Sequence, residues 1–195
     1  MLHDLVKQNR SFRRFYENHF IDNETLLALI ELARLSPSPR NQQALKFILS
    51  NEENKNKLIF DTLSWAGALF DWNGPEKGEQ PSAYIIILGD NSLIENGVKS
   101  YHEFSSGIVA QSILLGAVER KLGGCMVAAI KRNILRKSLN IDKHLEILMV
   151  IALGKPKENI ILGAMPKSGN YNYWRDEQKN HHVPKRNLND IIFDK

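Results

Sequence analysis

The sequence predicts an α+β fold, a mixed sheet covered by helices, on three observations. Apolar patterns of helical and of strand type alternate along the chain. Two segments, "SAYIIILGD" and "LEILMVIALG", are apolar, β-branched-rich runs of the kind found in buried strands. The loops carry neither GxGxxG nor GxxxxGK[ST], which disfavours a doubly wound nucleotide fold. With 195 residues, 43% hydrophobic and 25% charged, the chain fits a single domain, 1–195, with a real core.

The elements follow in order. Residues 2–9 form a short helix with Leu2, Leu5 and Val6 on one face. In "IDNETLLALIELARLSPSP" Asp22 or Asn23 can accept the orphan amide hydrogens of a second helix, with Ile21 as a staple before it. Leu26, Ile30 and Ala33 recur at helical spacing, and Pro37 and Pro39 stop that helix. "ALKFILS" reads as a strand and residues 51–62 as a polar helix. Residues 65–81, rich in Gly and Pro and holding two tryptophans, read as a mobile loop or short helix. "SSGIVAQSILLGAVERKLGG" is a long apolar helix whose small residues, Gly107, Ala110, Gly116 and Ala117, allow a close neighbour. Gly123–Gly124 would end it in the left-handed region. "CMVAAI" is a short strand and "RNILRKSLNI" a helix. Residues 159–195 are an extended, polar and aromatic tail.

Composition excludes several function classes. The net charge of +4 comes from 26 basic and 22 acidic residues scattered along the chain, a weak case for nucleic acid. A lone cysteine, Cys125, forbids an intrachain disulfide and suits a reducing compartment. The polar N-terminus is no secretory signal, and no apolar run nears the roughly 18–20 residues that span a bilayer. A cytoplasmic protein with no membrane partner is expected.

Chemistry at side chains is sparse. His3, His19, His102, His144, His181 and His182 lack ligand spacing and read as surface residues, so no metal site is expected. Cys125, in "GGCMVAAI", reads as a small core residue. No GxSxG elbow and no diagnostic acid–base pair is present, and no catalytic side chain is assigned. What remains can hold a ligand. Arg10 and Arg13 flank Ser11, and guanidinium groups suit bidentate phosphate contacts. Ser38, Asn41 and Gln43 follow a helix stop and precede a strand. Lys185 and Arg186 lie behind a rigidifying proline.

In this order the motifs resemble the nitroreductase family of flavin-dependent oxidoreductases. "RSFRRF" resembles its N-terminal R-S-x-R-x-[FY], and "LARLSPSPRNQQALKFIL" its A-P-S-x-x-N-x-Q-P-W-x-F. "GIVAQSILLGAVERKLGGCM" resembles its long central helix and glycine turn, "IALGKP" its LG-x-P, and "VPKRNLNDII" its x-R-x-L-x-x-[VI]. The resemblance implies a central mixed, mainly antiparallel sheet flanked by helices in an intertwined homodimer, each flavin contacted by both chains. It implies FMN, with NADH or NADPH as co-substrate and a nitroaromatic, quinone or similar acceptor reduced in a ping-pong cycle. By position, Arg10, Ser11 and Arg13 would hold the FMN phosphate and ribityl end, and Arg186 would close on the phosphate. Ser38, Asn41 and Gln43 would line the flavin, and Gly123 and Gly124 would bring backbone near its ring.

Arg10, Arg13 or Arg40 would supply positive charge near the ring's pyrimidine side. Trp65, Phe70, Trp72 and Tyr84 are candidates for the pocket wall, Phe12 and Phe15 for anchors in the core, and Arg14 for a solvated side chain. "QAL" at 43–45 and Arg40 depart from the family pattern and bear on substrate choice. Two alternatives stay open: a flavin enzyme of the same fold with another reaction (dehalogenation, flavin destruction, dehydrogenation), and a flavin-binding protein without turnover.

Overall fold

A computed structural model describes residues 1–69, 72–94 and 98–193. The elements run α1 (Leu2–Gln8), β1 (Phe15–Tyr16), α2 (Asn23–Leu35), β2 (Leu45–Ser50), α3 (Glu53–Phe60) and β3 (Ala83–Asp90). They continue with α4 (Ser100–Glu119), β4 (Gly123–Val127), α5 (Arg132–Ser138), β5 (Leu145–Pro156), β6 (Ile160–Ala164), β7 (Trp174–Arg175) and β8 (His181–Lys185). The five-stranded sheet has the order β1-β5-β3-β2, with β4 also on β5, and every pairing in it is antiparallel. Parallel pairing occurs in the tail, where β6 runs beside β8, and in a single bridge between Ser11 and Gly124.

Alternation along the strands explains why both faces of the sheet are covered. Ile85 and Ile87 of β3 join Ile151 and Leu153 of β5 in a core under α2 and α4, with Leu26, Leu29, Val109 and Ile113. Tyr84, Ile86 and Leu88 join Val150 and Ala152 in a second core with Ile59 of α3, Leu135 of α5 and Trp65. Burying one such Leu or Ile stabilises by about 1.5–3 kcal/mol, so Leu29→Ala would cost about 2–5 kcal/mol. Close packing of α2 on α4 depends on Gly116, where a Cβ would lie 2.2 Å from Leu32 Cδ1.

Local signals fixed most ends. Asp22 is the N-cap of α2 and accepts from the Thr25 amide at 2.7 Å, while Ile21 is buried beside it. The stop of α4 differs from expectation. The helix ends at Glu119, Lys121 takes the left-handed conformation (φ 58°), and Gly123 and Gly124 are already strand. A lysine tolerates that turn because the Leu122 amide returns a hydrogen bond to Ala117. The same helix starts at Ser100, five residues before the apolar run, with buried His102 packed over Gly89. The described part of 65–81 contains no helix, and the tail is ordered by its own three-stranded sheet.

Candidate functional site

The segment after α1 is built around a helix end. Arg10 folds back so that its Nε donates to the Asn9 carbonyl at 2.5 Å and its Nη2 to the Val6 carbonyl at 3.1 Å. Those are the carbonyls where a helix carries partial negative charge, so the cation is held in place. Half-burial lowers the Arg10 pKa without discharging it. Ser11 then bridges Gly124, and the Phe12 amide donates to the Gly124 carbonyl at 3.0 Å. Both glycines make this approach possible. A Cβ on Gly123 would stand 2.4 Å from Phe12 Cδ2, and one on Gly124 would stand 2.5 Å from the Ala152 carbonyl oxygen.

This segment forms one wall of a cleft of about 290 Å³. Arg10, Ser11 and Arg13 line it from the N-terminal side, Gln111 from α4, and His181 and Lys185 from β8. Among the described residues no carboxylate lines it. Three cations and a hydroxyl facing one space, without a competing acid, are the donor set for a phosphate-like anion.

Arg13 is fixed by the tail and by a buried acid. Its guanidinium lies over the Tyr173 ring at 4.8 Å, and its Nη1 donates to the Ser11 carbonyl at 3.1 Å. The same Nη1 stands 3.4 Å from His181 Nε2, and the His181 Nδ1 is buried with no partner. Burial first, and then the charges of Arg13, Arg175 and His182, push the His181 pKa down to about 4. Its imidazole is therefore neutral near pH 7, with Nε2 facing the donor Arg13. The fully buried Glu158 accepts from the Arg13 backbone amide at 2.5 Å and from Arg175 Nη2 at 3.0 Å. Arg175 in turn lies 4.2 Å over the Trp72 ring.

The other expected site residues lie elsewhere on the chain. Ser38, Asn41 and Gln43 do not line this cleft. They form a tight loop in which the Gln43 amide donates to Ser38 Oγ at 3.1 Å. Arg40, Asn41 and Gln43 have φ of 53°, 56° and 51°, a conformation costing about 1–3 kcal/mol at each non-glycine residue. Arg186 is exposed just past β8 and is not among the cleft residues; Lys185 stands there instead. Trp65 is a core residue against Phe60, and Trp72 carries Arg175. Tyr84 opens on a separate cleft of about 1000 Å³ under α3, where Glu17 and Asp61 are offset by Lys57 and Lys77. Phe70 lies outside the described residues.

Two expectations are corrected. Arg14 does not face water: it pairs with Glu79, Nη2 to Oε1 at 2.6 Å, and Glu79 is also held by Lys157 at 3.0 Å. His102 and His181 are not surface residues, each being 1% exposed. Neutral imidazole is apolar enough for such sites, and burial lowers the pKa of both. Phe15 is fully buried, and so is Cys125, whose thiol is pushed up by burial and is unreactive. Sequence reasoning missed Tyr173 and Gln111, which line the cleft, and Glu158, which holds the Arg13 amide behind it, because each gets there only through long-range packing. Among the described residues no group of three or more His, Cys, Asp and Glu could hold a metal ion, and no helix is long and apolar enough to cross a membrane.

An antiparallel sheet covered by helices, with a cationic cleft beside its long central helix, defines an α+β protein of the nitroreductase fold. A protein from Streptococcus pneumoniae described as a nitroreductase family protein superposes with a TM-score of 0.72 at 17% identity, covering 100% of both chains. An FMN-dependent nitroreductase from Clostridium difficile gives a TM-score of 0.61 at 19% identity, covering 80% of this chain and 87% of that one. In sequence, the Bacillus subtilis protein named "Putative NAD(P)H nitroreductase MhqN" is 23% identical over 189 residues, 78% of this chain and 87% of its own. Residues 79–155 match the model of the nitroreductase family. The family model and the curated relatives point to the nitroreductase family, and the structural neighbours share its fold.

Proposed function

We propose that this protein is an FMN-dependent oxidoreductase that takes a hydride from NAD(P)H and reduces nitroaromatics, quinones or similar acceptors by a ping-pong mechanism. The observation that carries it is the convergence of Arg10, Ser11, Arg13 and Lys185 on a cleft that no acid lines among the described residues. That donor set fits the phosphate of FMN, and the buried, unpartnered Nδ1 of His181 adds a donor group in the same wall. The names of the relatives, an FMN-dependent nitroreductase and an NAD(P)H nitroreductase, support the cofactor and the co-substrate.

When bound, the flavin supplies the hydride chemistry, so the side chains need only bind and orient. Arg10, anchored on the end of α1, holds a fixed charge toward the phosphate, and Ser11 offers a hydroxyl beside it. Arg13, stacked on Tyr173, cannot swing out of the cleft without losing that contact. Lys185 closes the site from β8. A cleft of about 290 Å³ takes the phosphate and ribityl end but not the whole cofactor. The strained Ser38–Gln43 loop then serves the ring from a second copy, which makes the working unit a homodimer. Continuity of surface supports this: Phe104, Gly107 and Ile108 lie exposed on α4 at helical spacing, and the stripe runs on to Gln111 in the cleft. The cytoplasm, where NAD(P)H is available, is the proposed compartment, and 1–195 acts as one domain.

Purified full-length chain should be yellow or become so with FMN, and anaerobic NADH or NADPH should bleach it. A quinone or nitroaromatic should then restore the colour. Colourless protein that takes up no FMN overturns the reading.

A further inference from the structure

We propose that Glu158 is the positioning residue of the anion clamp, setting the place of Arg13 and joining it to the C-terminal tail. The inference rests on the reading of the cleft as an FMN phosphate site. The clamp segment and the C-terminal tail, far apart in sequence, meet on this one carboxylate. Its Oε1 receives the Arg13 backbone amide at 2.5 Å, so the acid holds the main chain of the clamp and leaves the guanidinium available. Its Oε2 receives Arg175 Nη2 at 3.0 Å, and Arg175 rests on Trp72 at 4.2 Å. Arg175 belongs to β7, which pairs with β8, the strand that brings His181 and Lys185 to the cleft.

The arrangement is costly unless it serves a purpose. The Glu158 side chain has no exposure and that of Arg175 only 16%. Taking such a pair out of water is often no gain over apolar side chains of similar volume. Here the charge of Arg175 satisfies the acid, while the second oxygen is spent on a backbone amide that no apolar residue could hold. A hydrocarbon at 158 would leave the Arg13 amide and Arg175 unpaired together. Clamp and tail are thus made interdependent: whatever displaces the tail sheet disturbs Arg13, and the reverse.

Discrimination between FMN and riboflavin isolates the effect, since the two differ only in the phosphate. Dissociation constants for both are measured by quenching of flavin fluorescence on the full-length chain. Wild type should prefer FMN strongly; equal affinities would sink the phosphate-site reading itself. Given that preference, Glu158→Met, which leaves the Arg13 amide without an acceptor, should narrow the FMN-to-riboflavin ratio about tenfold while riboflavin affinity stays within about twofold. In an Arg13→Ala background the same substitution should narrow it no further, because Glu158 acts through Arg13. A merely structural role would lower the unfolding temperature and leave the ratio alone, and an unchanged ratio in folded Glu158→Met overturns the proposal. Should that variant not fold, Arg175→Gln gives the same decision: a narrowed ratio supports the tether, and an unchanged one rejects it.

Discussion

Arg14 and Glu79, 65 positions apart, form a two-point ion pair in which both side chains are more than four-fifths shielded from solvent. The pair ties β1 to the end of the 65–81 segment, and Lys157 adds a second cation. Its two parallel contacts make it worth more than an ordinary surface bridge. The hydrogen bond from Arg14 is the main reason the Glu79 carboxyl sits at about 2, below its ordinary 4.5. A depressed carboxyl pKa stabilises the fold above the unfolded value and ceases to as pH falls through the folded one. Stability from this pair should therefore be complete above pH 5 and vanish between about pH 4.5 and 2. At neutral pH, Arg14→Met should cost about 2 kcal/mol, a fall in Tm of roughly 4–8 °C. A change under 1 °C by calorimetry would show that the pair contributes nothing.

His181 carries a different pH signature. Its folded pKa of about 4 lies below the ordinary 6.5, so the unfolded chain takes up a proton first as the solution is acidified. That costs stability progressively from about pH 6.5 down to 4, mostly above the window of Glu79. Nuclear magnetic resonance of the imidazole should show one histidine titrating near pH 4. Replacing His181 by Gln should flatten the stability curve in that interval, and an unchanged curve would remove His181 from the account.

Most of the fold was legible because its signals are local. The isoleucine run of β3, the Asp22 cap and the prolines after α2 act within a few residues, and all of them stand where the pattern put them. The site was legible only in part. Arg10, Ser11 and Arg13 stand together because they are neighbours in sequence, but what they face depends on contacts more than 100 residues away. Nothing local marks Glu158 in "GKPKENI" as a buried acid, or Tyr173 as a platform for Arg13. The glycine pair shows the opposite error. Gly123–Gly124 looks like a helix stop, yet its role is to let Phe12 and β5 approach.

Arg10 should divide charge from geometry. On the proposed reading Arg10→Ala should remove a charge-assisted phosphate contact worth about 1.5–3 kcal/mol, a loss of FMN affinity of roughly tenfold to a hundredfold. Arg10→Lys keeps the charge but lacks the planar fork that bonds Asn9 and Val6 while presenting free N–H groups to the cleft. It should fall between wild type and Ala in a fluorescence titration with FMN. A lysine variant equal to wild type would mean that charge alone matters, and an Ala variant equal to wild type would take Arg10 out of the site.

Gly107 tests the second copy. Within one chain a Cβ there meets nothing within 4 Å, and Gly in the middle of a helix is worth about 0.5–1 kcal/mol less than Ala. A lone chain would therefore gain by the replacement, whereas in the proposed homodimer a glycine here leaves room for the partner's helix. The exposed Phe104 and Ile108 beside it, 61% and 37% open, give that neighbour an apolar surface to cover. A leucine at 107 has no obstacle in its own chain, but it would hold a partner helix away. Gly107→Leu should leave the circular dichroism unchanged and raise the dimer dissociation constant at least tenfold by sedimentation equilibrium. On the proposed function bound FMN should be lost in parallel, since the Ser38–Gln43 loop proposed to serve the ring from the second copy would leave with it. Wild-type chain that sediments as a monomer at micromolar concentration, or a Gly107→Leu dimer as tight as wild type, would place the ring contacts within a single chain instead.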